Sequence, residues 1–569
     1  MGMQSILTAK LVFLLSFLPG ICSGHVILKT PSAQRSGAVA SESKECSQVG
    51  IDLLKRGGNA ADALVGTSLC VGVIGMHHSG IGGGGFMLIR DSNGDYESMD
   101  FRETAPAAAF QDMYEGNVKG SVLGGLASGV PGEILGLETL HQKYGVLPWQ
   151  AVVNPSVHIA RYGFRVTEDL VRYMDSAMSP SNRFLVDDPV WAIDFAPNGK
   201  CTLVQLNDVL TRPRYADTLE QIGEYGSKAF YEGEIANYTI AALQARNGTM
   251  TLDDLRDYKV AMRKPISIDY RDHKIYSCGA PSGGSTALSI LKIIEGYDMN
   301  DPDLLQLNTH RIDEAMRYSY AARTHLGDPD FFDYMDEFET KMIRPETSSE
   351  IRRKISDKHT HNVSDYNPQG YDITENHGTS HIVTADGSGM TITFTSTVNL
   401  LFGSQLMVPE TGVIMNNEMN DFSIPRVTNE FGFVPSPINY IRPKKRPLSS
   451  ITPIIVERSD GSLYLSIGAA GGSRIITATV QGVWHVLDHG MTLAESLRQP
   501  RLHDQLLPAQ SMFEWTYDND TVKSMSVRGH NISWVGPYLS AVQGVRVLGN
   551  GTLEAASEPR QLNSGGLTI

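Results

Sequence analysis

The sequence predicts an α/β protein in which sheet layers are covered by helices. Three observations carry this reading. Alternating segments rich in Thr, Val and Ile cluster in the C-terminal third, after residue 377. Helical patterns with recognisable starts and stops lie before that cluster and inside it. The composition, 41% apolar and 20% charged over 569 residues, is that of a folded globular chain. At roughly 150 residues per domain the length allows three or four domains or one large layered body. No internal repeat or low-complexity linker divides the chain, and one structural unit is expected.

The elements follow in order. A helix is expected through CSQVGIDLLKRGG, stopped at Gly57-Gly58, with Asn59 capping a second helix, AADALVGTSLCVGVIG. FMLIR and DYESMDF read as strands around the turn Ser92-Asn93-Gly94-Asp95. Pro131 opens the helix PGEILGLETLHQKYG, and Gly145 stops it. Residues 150–375 read as mostly helical with polar loops. Their clearest amphipathic segment keeps Ile312, Ala315, Met316, Ala322 and Leu326 at helical spacing, with Ser319 on the same face. SSEIRRKISDKHTHNVSDYNPQGYDITEN reads as a long polar connection. Beyond it, HGTSHIVTADGSGMTITFTSTVNLLFG gives two strands joined at Asp386-Gly387. ITPIIVE and SLYLSIGAA give a hairpin around Ser459–Gly461, followed by a helix in GGSRIITATVQGVWHVLDHG.

Charge and targeting signals narrow the function classes. With 48 basic and 63 acidic residues the net charge is −15, which argues against a nucleic-acid partner, since phosphate binding needs a basic face. The one dense basic run, Arg442, Lys444, Lys445 and Arg446, reads as a solvated loop among prolines. At the N-terminus Lys10, the apolar run Leu11–Leu18, the Pro19-Gly20 break and small residues at Ser23 and Gly24 have the order of a secretory signal over residues 1–24, with a signal-anchor as the alternative. Six sequons, at Asn237, Asn247, Asn362, Asn519, Asn531 and Asn550, fit a glycosylated secreted or extracellular protein. Of five cysteines, Cys22 falls in the signal. Cys46, Cys70, Cys201 and Cys278 remain, with three pairings that spacing alone leaves open. No CxxC or HExxH occurs, so no metal is expected, and His77-His78 and His359-x-His361 read as structural or solvated.

Gly80-Ile-Gly82-Gly-Gly-Gly85 satisfies the dinucleotide-binding pattern, and Asp100 follows at a suitable distance. The pattern needs a strand before the glycines and a helix after them. Here the order is reversed, so the run reads as a tight turn with close backbone approach, and no nucleotide or other organic cofactor is expected.

Gly378-Thr379-Ser380-His381 lies at the boundary between the long connection and a strand. A threonine there is an ordinary strand former unless the chain is cut before it, when its own α-amine becomes a base. SGIGGGGFM, DFRETAP, GVPGEILGLETLHQKYG, HGTSHIV, TSTVNLLFGS, NNEMNDFS, RPLSSITP, IGAAGGSRI and QPRLHDQLLP occur in this order between about residues 40 and 510. In order and spacing they resemble the γ-glutamyltransferase family of N-terminal-nucleophile hydrolases.

The resemblance implies a four-layer α-β-β-α sandwich. It also implies self-cleavage at Gly378–Thr379 into a large chain, residues 25–378, and a small chain, residues 379–569. Thr379 would then cleave the γ-glutamyl amide of glutathione and its conjugates through a γ-glutamyl ester, passing the acyl group to water, an amino acid or a dipeptide. Thr397 supports the nucleophile and contacts substrate, Gly471 and Gly472 form the oxyanion hole, and Asn399 is a further substrate contact. Arg102, Ser449 and Ser450 meet the substrate α-carboxylate, while Glu418 and Asp421 meet its α-ammonium. Cys46 and Cys70 match a bridge of animal relatives; Cys201 and Cys278 stay open between pairing and free thiols. A same-fold amidase of other acyl preference, as in the related cephalosporin acylases, and an unprocessed secreted binding glycoprotein are the alternatives.

Overall fold

The computed structural model describes residues 36–199, 202–367, 369–371, 378–425 and 435–569. The signal segment, Cys22, Cys201 and His377 lie outside them. Strands of two large sheets are, in chain order, β1 (Gly37–Ser41), β2 (Gly84–Arg90), β3 (Tyr96–Asp100), β4 (Ala261–Arg263), β5 (Ile266–Tyr270), β6 (His273–Ser277), β7 (Ser380–Asp386), β8 (Thr391–Thr397), β9 (Ile454–Arg458), β10 (Leu463–Ala470), β11 (Ala541–Val547), β12 (Leu553–Ala556) and β13 (Gly565–Thr568). The first sheet runs β13-β1-β7-β8-β2-β3-β4 and the second β12-β11-β10-β9-β6-β5. Every ladder in both is antiparallel.

The helices that position the site are α1 (Lys44–Lys55), α2 (Ala60–Ile74), α3 (Glu133–Tyr144), α4 (Trp149–Tyr162), α5 (Glu168–Ala177), α6 (Pro213–Tyr225), α7 (Gly284–Ile294), α8 (Leu305–Arg323) and α9 (Arg474–Leu487). Strand β2 shows why the layers stack. Its residues alternate across the sheet, so Met87 and Ile89 join the core under α1–α4, while Phe86 and Leu88 join the core that includes α7, α8 and α9. The two sheets lie face to face, with α2 packed on β7 and α9 on β10. The result is the four-layer sandwich expected, with Ser36–Ile569 forming one compact unit.

Local chemistry accounts for the elements that were read correctly. Asn59 accepts from the Ala61 and Asp62 N–H groups and closes a capping box with Asp62. The Gly80–Gly85 run follows α2 and feeds β2. A Cβ on Gly83 would lie 2.0 Å from the Thr397 carbonyl oxygen, so the run is built for close backbone approach to β8. Cys46 and Cys70 form a disulfide between α1 and α2, and Cys278 is a buried free thiol beside the Met87 carbonyl.

Several readings are corrected. The stretch taken as mostly helical also holds the β5–β6 hairpin. The long polar connection contains helices at Pro345–Lys354 and Val363–Tyr366. Helix α8 is buried on its charged face as well, because Arg317 pairs with Asp504 at 2.9 Å and Asp313 with His530 at 2.9 Å. The basic run is only half solvated. Arg442 and Lys444 are exposed, but the Lys445 ammonium donates to the Ile438 and Tyr440 carbonyls, and Arg446 pairs with Asp100 at 3.2 Å. Burial drives Lys445 down to about 7.

Candidate active site

Thr379 is buried immediately before β7, a strand flanked by β1 and β8. Its hydroxyl donates to the Gly378 carbonyl oxygen at 2.6 Å, and the Thr397 hydroxyl, at the end of β8, donates to the same oxygen at 2.7 Å. Thr397 also accepts the Asn399 N–H at 2.7 Å. Gly378 has φ +124°, and a Cβ there would lie 2.4 Å from the Asn399 carbonyl oxygen. The peptide before Thr379 is thus held in a shape that glycine adopts without strain. Asn399 sits in the left-handed region at φ +73°, and its side-chain amide donates to the Asn417 carbonyl at 3.0 Å. This links the surroundings of Thr379 to the segment that carries Glu418.

A second group forms around Arg102, which is 1% exposed. Its guanidinium pairs with both Glu418 and Asp421 and reaches the Leu448 carbonyl at 3.4 Å. Ser449 and Ser450 follow directly. The Ser449 oxygen accepts the Ile451 N–H at 3.1 Å, and the Ser450 oxygen accepts from Arg323 at 3.0 Å. Arg102, Glu103, Glu418 and Asp421 are all buried. Burial opposes the charge on Arg102, but Glu418 and Asp421 more than offset it. Burial likewise pushes the Glu418 and Asp421 carboxyls up against the pull of Arg102, and lifts Glu103 to about 8.

A cavity of about 290 Å³ opens on Thr379. Gly378 and Gly471 line it, and Arg102, Glu418 and Asp421 do not. Gly471 and Gly472 take φ +128° and +61° just ahead of α9, where helix-terminal N–H groups favour negative charge. The cavity also holds residues that the sequence did not mark as site candidates: His78, Arg172, Tyr173, Tyr538 and Gln561. His78, which reads from sequence as structural or solvated, therefore borders the cavity. His78 meets Glu42 at 2.9 Å, and Glu42 accepts the Ser380 hydroxyl at 2.7 Å, one residue after Thr379. Only the position of the His77-His78 pair just before the glycine run could have signalled this. His381 is no base for Thr379: its ring bonds the Thr393 and Thr395 hydroxyls, and burial drops it to about 3.

Two stacked antiparallel sheets between helix layers, with a threonine at the head of an inner strand, define the N-terminal-nucleophile hydrolase fold. The chain belongs to the gamma-glutamyltranspeptidase family, a family of enzymes, whose profile matches residues 46–566. It is 52% identical over 549 residues to the glutathione hydrolase proenzyme of Arthroderma benhamiae, covering 94% of this chain and 93% of that one. It is 47% identical over 561 residues to a glutathione hydrolase of Aspergillus flavus, covering 98% and 94%. Among solved structures, a cephalosporin acylase from Bacillus halodurans superposes with a TM-score of 0.81 at 25% identity, over 95% of this chain and 98% of that one.

Proposed function

We propose that the chain cuts itself between Gly378 and Thr379 and then cleaves the γ-glutamyl amide of glutathione and its conjugates. The observation that carries this is the Thr379 hydroxyl, 2.6 Å from the oxygen of the carbonyl it would attack, with Thr397 polarising the same carbonyl. In the first step Thr379 Oγ1 bonds to the Gly378 carbon, the peptide C–N bond breaks, and the nitrogen takes the hydroxyl proton. Water hydrolyses the ester, freeing the Gly378 carboxylate and returning the Thr379 hydroxyl beside the amine that the shift had already released. That amine then serves as base for the same hydroxyl. In turnover Oγ1 attacks the γ-carbonyl, the amine leaves with a proton, and water, an amino acid or a dipeptide takes the glutamyl group. Gly471 and Gly472 supply N–H groups to the oxyanion.

The buried ionic set supports a glutamyl acyl group over a neutral one. A bound zwitterion adds one positive and one negative charge, so it exchanges the Arg102–acid pairs for equivalent pairs without changing the net charge of the pocket. An acyl group without an amino acid head has no use for these charges. We also propose passage through the secretory pathway. Supporting this, all six sequon asparagines are exposed, and the Cys46–Cys70 bridge suits an oxidising compartment.

Denaturing electrophoresis with N-terminal sequencing, wild type beside Thr379→Ala, tests the reading. The wild type is expected to give a fragment starting at Thr379, and the variant a single chain. An uncut, folded wild type would sink the proposal.

A further inference from the structure

The cavity above Thr379 has a chemical character of its own. None of the residues that line it is acidic, and its one arginine is Arg172 on α5. The Arg172 guanidinium lies 4.8 Å from the Tyr173 ring centroid and 4.6 Å from that of Tyr538. Its Nη2 donates to Asp169 at 2.9 Å and to the Tyr173 hydroxyl at 3.2 Å. Among the described residues Nε and Nη1 donate to no partner. The side chain is 29% exposed, so its charge is reachable from the cavity. Leu401 and Leu539 supply apolar wall.

The groups suited to a glutamyl zwitterion lie outside this cavity, whereas Thr379 lines it. On the function proposed above, the acyl part of the substrate therefore sits toward Arg102. The cavity receives what leaves the acyl carbon and what arrives to replace it. In glutathione the departing piece is a dipeptide ending in a carboxylate. A planar guanidinium fixed between two rings is pre-organised for such a group and spends little entropy in binding it. We infer that Arg172, clamped by Tyr173 and Tyr538, binds the terminal carboxylate of the leaving dipeptide and of a dipeptide acceptor.

The test compares donors that differ at this point, using the full chain. Arg172→Met keeps length and apolar packing but removes the charge. For glutathione its KM should rise about tenfold to a hundredfold, the range for losing a charged hydrogen bond. For γ-glutamyl-p-nitroanilide, whose leaving group has no carboxylate, KM should stay within about twofold of wild type. Wild type should prefer glycylglycine to glycylglycine amide as acceptor, and Arg172→Met should lose that preference. Arg172→Lys should recover part of it. Tyr538→Ala, at a residue 55% exposed, should raise KM for glutathione alone even if Arg172→Met fails to fold. Unchanged glutathione kinetics in these variants, or equal losses for both donors, would overturn the inference. A wild type that turns over neither donor overturns the proposed function, and this inference with it.

Discussion

The Gly378 carbonyl oxygen receives two hydroxyl donors, Thr379 at 2.6 Å and Thr397 at 2.7 Å. If the proposed self-cleavage runs through this carbonyl, Thr397 stabilises charge on it as the C–N bond breaks. Thr397→Val removes that donor with little change in volume. Folded precursor is expected to accumulate, with cleavage slowed by about a hundredfold or more, while Thr397→Ser keeps near-normal cleavage. A time course of the purified precursor on a denaturing gel distinguishes them, and rapid cleavage in the valine variant would remove Thr397 from this role. Little of this was legible from physical pattern alone. A threonine at a strand start looks like any other strand threonine, and Glu418 and Asp421 look like a solvated turn. The roles proposed for them came from the resemblance. What neither source marked as part of the site was His78 and Arg172, because the cavity gathers them from separate segments, with Glu42 held against His78.

Elements with strong local signals were the most legible. Helices α1 and α2, the β7–β8 and β9–β10 hairpins and α9 follow from caps, turn residues and periodicity that act within a few positions. The β5–β6 hairpin was missed because its two five-residue strands lie inside a long helical region. Lys445 and Arg446 were misread because their partners, backbone carbonyls and Asp100, are supplied by the tertiary fold. The disulfide joining α1 to α2 closes a short loop of sequence separation 24. Removing it by Cys46→Ala with Cys70→Ala frees that loop in the unfolded chain and should cost about 3.5 kcal/mol. Denaturant unfolding against wild type measures it; an unchanged midpoint would mean that packing of the two buried helices, rather than the crosslink, sets their stability.

At the scale of the molecule, the sheets are woven from residues on both sides of Gly378. In the first sheet β13, β7 and β8 lie among β1, β2, β3 and β4; in the second, β9 joins β6. Cleavage at Gly378 would therefore sever no ladder. The cut protein should elute as one particle on native size exclusion and part into two chains only under denaturing conditions. Two separate native peaks would contradict this architecture. The same weave has another consequence. Ile569 exchanges backbone hydrogen bonds with Gly37, at 2.9 and 3.3 Å, so the two ends of the described unit lie side by side. A short peptide tying Ile569 to Ser36 would let the gene be circularly permuted, opening at Thr379 and closing at Gly378. In such a rewired chain the threonine amine would come from translation and trimming of the initiator methionine, and maturation would be uncoupled from the chemistry it prepares.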